Sequence, residues 1–100
     1  MTLESDFQKD LTDELERLFP DCIIIKGNSA MRQGIPDWLI LYKDKWAALE
    51  VKRSYADMKK NLRPNQEWYV DVMNDLSFAA FVYPENRKEI IRALQRSFRS

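Results

Sequence analysis

Two apolar runs, Trp38–Tyr42 (WLILY) and Trp46–Val51 (WAALEV), stand only three residues apart. A strand with one face in water alternates polar and apolar side chains, and these two do not. Such a pair must be covered on both faces, which calls for helices on either side of a sheet. No other feature of the chain constrains the fold as strongly. The exceptions lie at the outer ends of the runs: Asp37 before the first, and Glu50 and Lys52 at the close of the second.

The spacing predicts strands over 37–42 and 46–52, joined by the turn Lys43-Asp44-Lys45, which carries no Asn-Gly or Asp-Gly signal. A turn centred between Lys43 and Asp44 sets Asp37 opposite Glu50, with Cβ atoms about 4.5–5.5 Å apart. Lys52, two residues beyond Glu50, shares their face in any register. Leu39, Leu41, Trp46 and Ala48 complete that face, and Ile40, Ala47, Leu49 and Val51 line the other. A slip of one residue would send the two carboxylates to opposite faces.

The rest of the chain supplies the cover. Phe7, Leu11, Leu15 and Leu18 recur on one face of a helix predicted over 3–18, with Thr2 as its N-cap and Pro20-Asp21 ending it. The same face, extended toward the N-terminus, brings in Gln8 and Glu4. Residues 22–27 (CIIIKG) read as a strand and 28–34 as a loop. Residues 53–63 are polar and basic. Pro64 opens a helix whose inner face carries Tyr69, Met73 and Leu76, and stepping back along it gives Gln66 and Leu62. FAAFVY, 78–83, reads as a strand. Pro84 starts a last helix with Ile90, Ile91, Leu94 and Phe98 on one side. The order α-β-β-β-α-β-α, with a hairpin followed by a β-α-β passage, predicts a single α/β domain over 1–100, built on a mixed sheet flanked by helices.

Composition removes several chemistries. The chain has 100 residues, no histidine and one cysteine. His-based triads, HExxH zinc sites and intrachain disulfides are therefore excluded, and Cys22, within CIII, reads as a small buried apolar residue. The lone cysteine fits a reducing compartment, no apolar run approaches the roughly 20 residues of a membrane span, and the polar start is unlike a signal peptide. A cytoplasmic protein is expected. The 16 basic and 16 acidic residues balance, so attraction to a polyanion must come from where the charges lie.

Two adjacent carboxylates cannot both ionise cheaply without a cation between them. All-oxygen ligation by Asp37 and Glu50 favours Mg²⁺ or Mn²⁺ over zinc, and Lys52 can steer a nucleophilic water or offset phosphate charge. An ion pair on a wetted sheet edge is the plainer explanation of any single D…ExK match. Here the strands are apolar on both faces, Glu4 offers a third acid, and Gln66 offers a polar contact from the second helix.

Pro36-Asp37, followed thirteen residues on by Glu50-Val51-Lys52, resembles the signature of the PD-(D/E)XK nuclease superfamily, whose core has this element order, the restriction-endonuclease-like fold. ESDFQ, GIPD, LEVKR and RPNQ together resemble the small VRR-NUC domain nucleases often found in phages, from Glu4 to about Tyr83. The stretch after FAAFVY lacks the basic residues usual in that family, and no glycine precedes the strand. The resemblance implies metal-dependent hydrolysis of phosphodiester bonds in DNA. Asp37 and Glu50 would be metal ligands, with the Val51 carbonyl as a further one. Lys52 would orient or activate the attacking water, Gln66 matches the motif glutamine, and Glu4 would be the acid of the first helix; Glu14 competes for that role, although its neighbours suggest a solvated face.

Lys52, Arg53, Lys59, Lys60 and Arg63 stand against one acid, Asp57, within 52–63, and Lys26, Asn28, Ser29 and Arg32 form a second polar-basic stretch before Asp37. Together they would grip phosphates on both sides of the metal. Tyr55 is placed to stack on a base or to pack. No module for reading base edges is evident, so recognition of branched DNA or four-way junctions is expected rather than of a long sequence. Cutting both strands symmetrically would need a homodimer, for which Trp68 or Phe98 could supply the interface. The alternative is a non-catalytic nucleic-acid-binding or assembly protein that keeps the fold.

Overall fold

The computed structural model describes residues 3–27 and 33–99, with side chains from Ser5 onward in the first helix. Thr2, Asn28, Ser29, Arg32 and the Glu4 side chain lie outside the described residues. Helix α1 (Leu3–Leu18) is followed by strands β1 (Ile23–Lys26), β2 (Trp38–Tyr42) and β3 (Lys45–Val51). Helices α2 (Tyr55–Lys60) and α3 (Gln66–Leu76), strand β4 (Phe78–Val82), a 3₁₀ turn (Pro84–Asn86) and helix α4 (Arg87–Arg99) complete the chain.

The sheet runs β1-β2-β3-β4, antiparallel except for the parallel pair β3–β4. Trp38 pairs with Leu49 and Tyr42 with Lys45, the register expected from a turn centred between Lys43 and Asp44. Lys43 takes φ 57°, the left-handed conformation a two-residue hairpin turn needs and glycine or asparagine would adopt more cheaply.

The two sheet faces are covered unequally. Phe7, Leu11 and Leu15 of α1 and Ile91, Leu94 and Phe98 of α4 pack on Trp38, Ile40, Ala47, Leu49, Val51 and Val82. Phe19, just past α1, packs tilted on Tyr42 and edge-on to Phe98, with ring centroids 5.3 and 5.0 Å away, and Tyr42 and Phe98 stack on each other at 5.5 Å. On the opposite face Val70 and Met73 of α3 cover Ala48, Ala79, Trp46 and Phe81, all on β3 and β4. Ile23 and Ile25 on β1 are consequently 59% and 47% exposed. The expectation of a sheet covered on both faces holds for its centre and fails at β1.

Other expectations are corrected in the same way. The inward stripe of α3 is Gln66, Val70 and Met73, because Gln66 turns in toward buried charges; Leu76 is 73% exposed and Leu62 is exposed as well. Phe98 is core, so it offers no dimer surface. Residues 55–60 are helical although none is buried, held by the Ser54 hydroxyl capping the Asp57 amide at 3.0 Å. Among the described residues no helix is long and apolar enough to cross a membrane.

Two isoleucines test the unequal cover. Ile40→Ala, at a site with no exposure, should cost roughly 2–5 kcal/mol in urea unfolding. Ile23→Ala, on the uncovered face, should change stability by no more than about 0.5 kcal/mol. A large loss for Ile23→Ala would mean that β1 is covered.

Candidate functional site: a polar cleft at the end of β3

Strand β3 is buried along its last five residues, and the burial continues into Lys52. Glu50 and Lys52 are 8% exposed, and Gln66, reaching in from the first turn of α3, is 5% exposed. Burying a carboxylate or ammonium is expensive without partners, and the three side chains supply them to one another. The Lys52 ammonium donates to Gln66 Oε1 at 3.2 Å, Gln66 Nε2 donates to Glu50 Oε2 at 3.2 Å, and Lys52 Nζ lies 3.7 Å from the same carboxylate oxygen. Gln66 Oε1 also accepts from the Arg63 amide at 2.9 Å. The other Glu50 oxygen accepts from the backbone amide of Asp37 at 3.1 Å, across the pair that the hairpin register sets face to face.

Burial raises the Glu50 carboxyl above its usual range. Lys52, the Asp37 amide and Arg63 pull it back, while the Asp37 carboxylate pushes it further up. Asp37 and Glu50 therefore repel one another, and carboxylate oxygens are hard donors of the kind that suits Mg²⁺ or Mn²⁺. Among the described residues no third Asp, Glu, Cys or His joins them.

These residues line a cleft of about 680 Å³. Its charged walls are Asp37, Glu50 and Asp57 against Lys52, Arg53 and Arg63; Gln8, Gln33, Asn61 and Gln66 add polar groups, and among the described residues Ile35 and Val51 are the only sizeable apolar members. Such a lining suits a charged, hydrated ligand rather than an apolar molecule. Gly34 shapes the mouth. It takes φ 99°, and a Cβ there would lie 2.7 Å from the Asn65 carbonyl carbon and 2.8 Å from the Pro64 oxygen. Only glycine lets the Gln33–Asp37 segment close on the turn that starts α3.

Of the residues singled out in the sequence, Gln8, Asp37, Glu50, Val51, Lys52, Arg53, Arg63 and Gln66 line this one cleft. Lys26 does not: its ammonium donates to Thr12 at 2.7 Å and sits 4.5 Å above the Trp38 ring. Lys59 and Lys60 are exposed on α2 outside the lining, with Lys59 6.0 Å over Tyr55. Arg53 pairs with Asp57 at 3.3 Å, which offsets part of the basic stretch; the Asn61 amide, and after it Arg53, hold the Asp57 carboxyl below its usual range. Glu14 bonds Arg87 on α4 at 2.7 Å, so it ties two helices together and is neither a cleft acid nor part of a solvated face. Cys22 is half-buried, and burial followed by nearby Glu16 raises its thiol, which leaves it a poor nucleophile.

The sequence reading missed Gln33, Asp57 and Asn61 as cleft residues. The signal for the last two was the Ser54-x-x-Asp57 capping pattern, which starts the helix carrying them.

Two outcomes follow. Gly34→Ala should lower stability by about 2 kcal/mol or more in urea unfolding, because the strained φ and the Asn65 backbone cannot both be relieved. A folded chain that holds the Glu50 proton more tightly than the unfolded chain loses stability as pH rises from the ordinary carboxyl range through the raised value. In EDTA, the unfolding free energy of the unmodified chain should therefore fall relative to that of Glu50→Gln across that interval; a relative rise would contradict the burial cost. No protein-family model matches the chain, and no curated protein or solved structure matches it.

Proposed function

We propose that this chain is a divalent-metal-dependent endonuclease with the restriction-endonuclease-like core of the PD-(D/E)XK superfamily, hydrolysing phosphodiester bonds in structured DNA such as branches and four-way junctions. One observation carries the reading. A buried Glu50 and Lys52 at the end of a central strand meet Asp37 across the hairpin register at the wall of a polar cleft. The reading extends to the small VRR-NUC domain nucleases of phages, on the strength of ESDFQ, GIPD, LEVKR and RPNQ.

The donor set fits Mg²⁺ or Mn²⁺, with Asp37, Glu50 and the Val51 carbonyl as the residues that would hold it. When bound, the ion supplies Lewis-acid polarisation of the phosphate and acidifies neighbouring water. In the hydrolysis, the oxygen of a water forms a bond to phosphorus, one bridging P–O bond breaks, and the departing oxygen takes a proton. Lys52 is placed to donate to that water or to a phosphate oxygen. Its contacts with Gln66 and Glu50 use at most two of three N–H donors. Gln66 holds both charged groups at fixed positions, which is the role its two hydrogen bonds support. Arg53 and Arg63 offer phosphate contacts on the cleft walls.

The non-catalytic alternative also has an observation in its favour: Glu50, Lys52 and Gln66 satisfy one another within the protein, as a structural ion pair would. Plasmid and four-way-junction substrates with Mg²⁺, Mn²⁺ or EDTA separate the two. Cleavage should need the metal and should fall about a hundredfold or more in Asp37→Asn. Activity that survives both EDTA and Asp37→Asn sinks this site. Mn²⁺ at a hundred times its dissociation constant should also stabilise the fold by about 2.7 kcal/mol, and Glu50→Gln should abolish the effect.

A further inference from the structure

Arg63 faces two ways. On one side it lines the cleft of Asp37, Glu50 and Lys52; on the other it begins a shallow groove of about 610 Å³ formed with Leu62, Pro64, Glu67, Trp68 and Asp71. Trp68 is 59% exposed, whereas Trp38 is core and Trp46 half-buried. Its indole is braced edge-on by Tyr69, with centroids 4.9 Å apart and planes at 80°, so it is held in place although one face is open. Leu62 and Pro64 add apolar surface to the groove. Glu67 and Asp71, one helical turn apart on α3, add two carboxylates to its lining.

The groove thus brings together a guanidinium from Arg63, the indole of Trp68 and two acids. A phosphate is attracted by Arg63 and repelled by Glu67 and Asp71. A nucleobase fits the remainder: its π-face stacks on indole, and its N–H and amino groups donate to carboxylates. Only a base already out of a duplex offers both the free face and the free donors.

We infer that the Trp68 groove takes an unpaired nucleotide, its base stacked on the indole and its phosphate turned to Arg63. It thereby selects nucleic acid with a single-stranded or extrahelical segment beside the cleft. The inference builds on the nuclease reading by naming the substrate class, yet binding in the groove needs no cleavage. Continuity with the polar cleft through Arg63, and the small extent of the apolar floor, favour a nucleotide over a protein partner.

The test is fluorescence-anisotropy binding in EDTA, so that binding is read without hydrolysis. The probes are one labelled DNA duplex with a short single-stranded tail and the same duplex blunt-ended. The tailed probe should bind more tightly than the blunt one. Trp68→Ala should weaken the tailed probe roughly 5- to 150-fold and leave the blunt one unchanged, while Trp68→Phe keeps most of the preference. Indole emission should be quenched by the tailed probe in the unmodified chain, and that quenching should be lost in Trp68→Phe. Trp68 is exposed, so these variants fold. Equal effects of Trp68→Ala on both probes, or none on either, overturn the inference. So does a Trp68→Ala change in self-association by sedimentation with no change in DNA binding, which would make the groove a protein interface. Tail preference through Trp68 in a chain that cuts nothing with Mn²⁺ upholds the groove and refutes the nuclease reading. Cutting that ignores Trp68 does the reverse.

Discussion

A carboxylate held inside a protein must be met by a cation or by several hydrogen bonds, and Glu50 is met by both. Lys52 comes from the same strand, two residues on and on the same face. The Asp37 amide comes from across the hairpin, and the Gln66 amide from the start of α3. These partners arrive together only if β2 and β3 pair in one register and α3 is rotated to turn Gln66 inward. The polar cluster thus depends on the arrangement of three elements, and removing any partner leaves a buried group unsatisfied, at a cost of about 1–3 kcal/mol.

The surrounding architecture serves that requirement. The large apolar cluster of α1 and α4 anchors one face of the sheet. The smaller cluster under α3 covers β3 and β4 and stops short of β1. Glu50 therefore sits on a strand covered on both faces, where low polarity strengthens its electrostatic contacts. Gly34 closes the arrangement from the side, since the segment leading to Asp37 touches the Pro64–Asn65 backbone without an intervening side chain. Asn65, at φ 69°, makes the tight bend that delivers Gln66 and Arg63 to adjoining walls.

The hairpin and its charges were legible in the sequence because strand periodicity is rigid: unbroken apolar runs fixed the need for cover on both faces, and the turn's centre placed Asp37 across from Glu50. Gln66 was reachable as one position on a helical stripe. What lay hidden depended on contacts between distant segments. Helix α2 buries nothing, so it has no apolar rhythm; a single capping hydroxyl starts it. Glu14 looks like a solvated acid until Arg87, seventy-three residues away, closes on it. Leu76 and Leu62 fit a stripe in the sequence but not in space: α3 turns Gln66 toward the buried charges and leaves Leu76 out, and Leu62 lies in the segment before the helix starts. Ile23 and Ile25 look like core by composition, and only the reach of α3 shows that they are not.

The two-residue turn at Lys43-Asp44 has a consequence for how such a chain can change. Its residues are solvent-facing, and Lys43 occupies a conformation that costs it energy, so substitution there is cheap and even favourable. Its length is another matter. One residue gained or lost would act like a frameshift in space: the apolar runs would still pair, but alternate side chains would trade faces and the two carboxylates would part. The spelling of the turn is free while its count is not, so the cluster is protected by a number rather than by any amino acid within the loop.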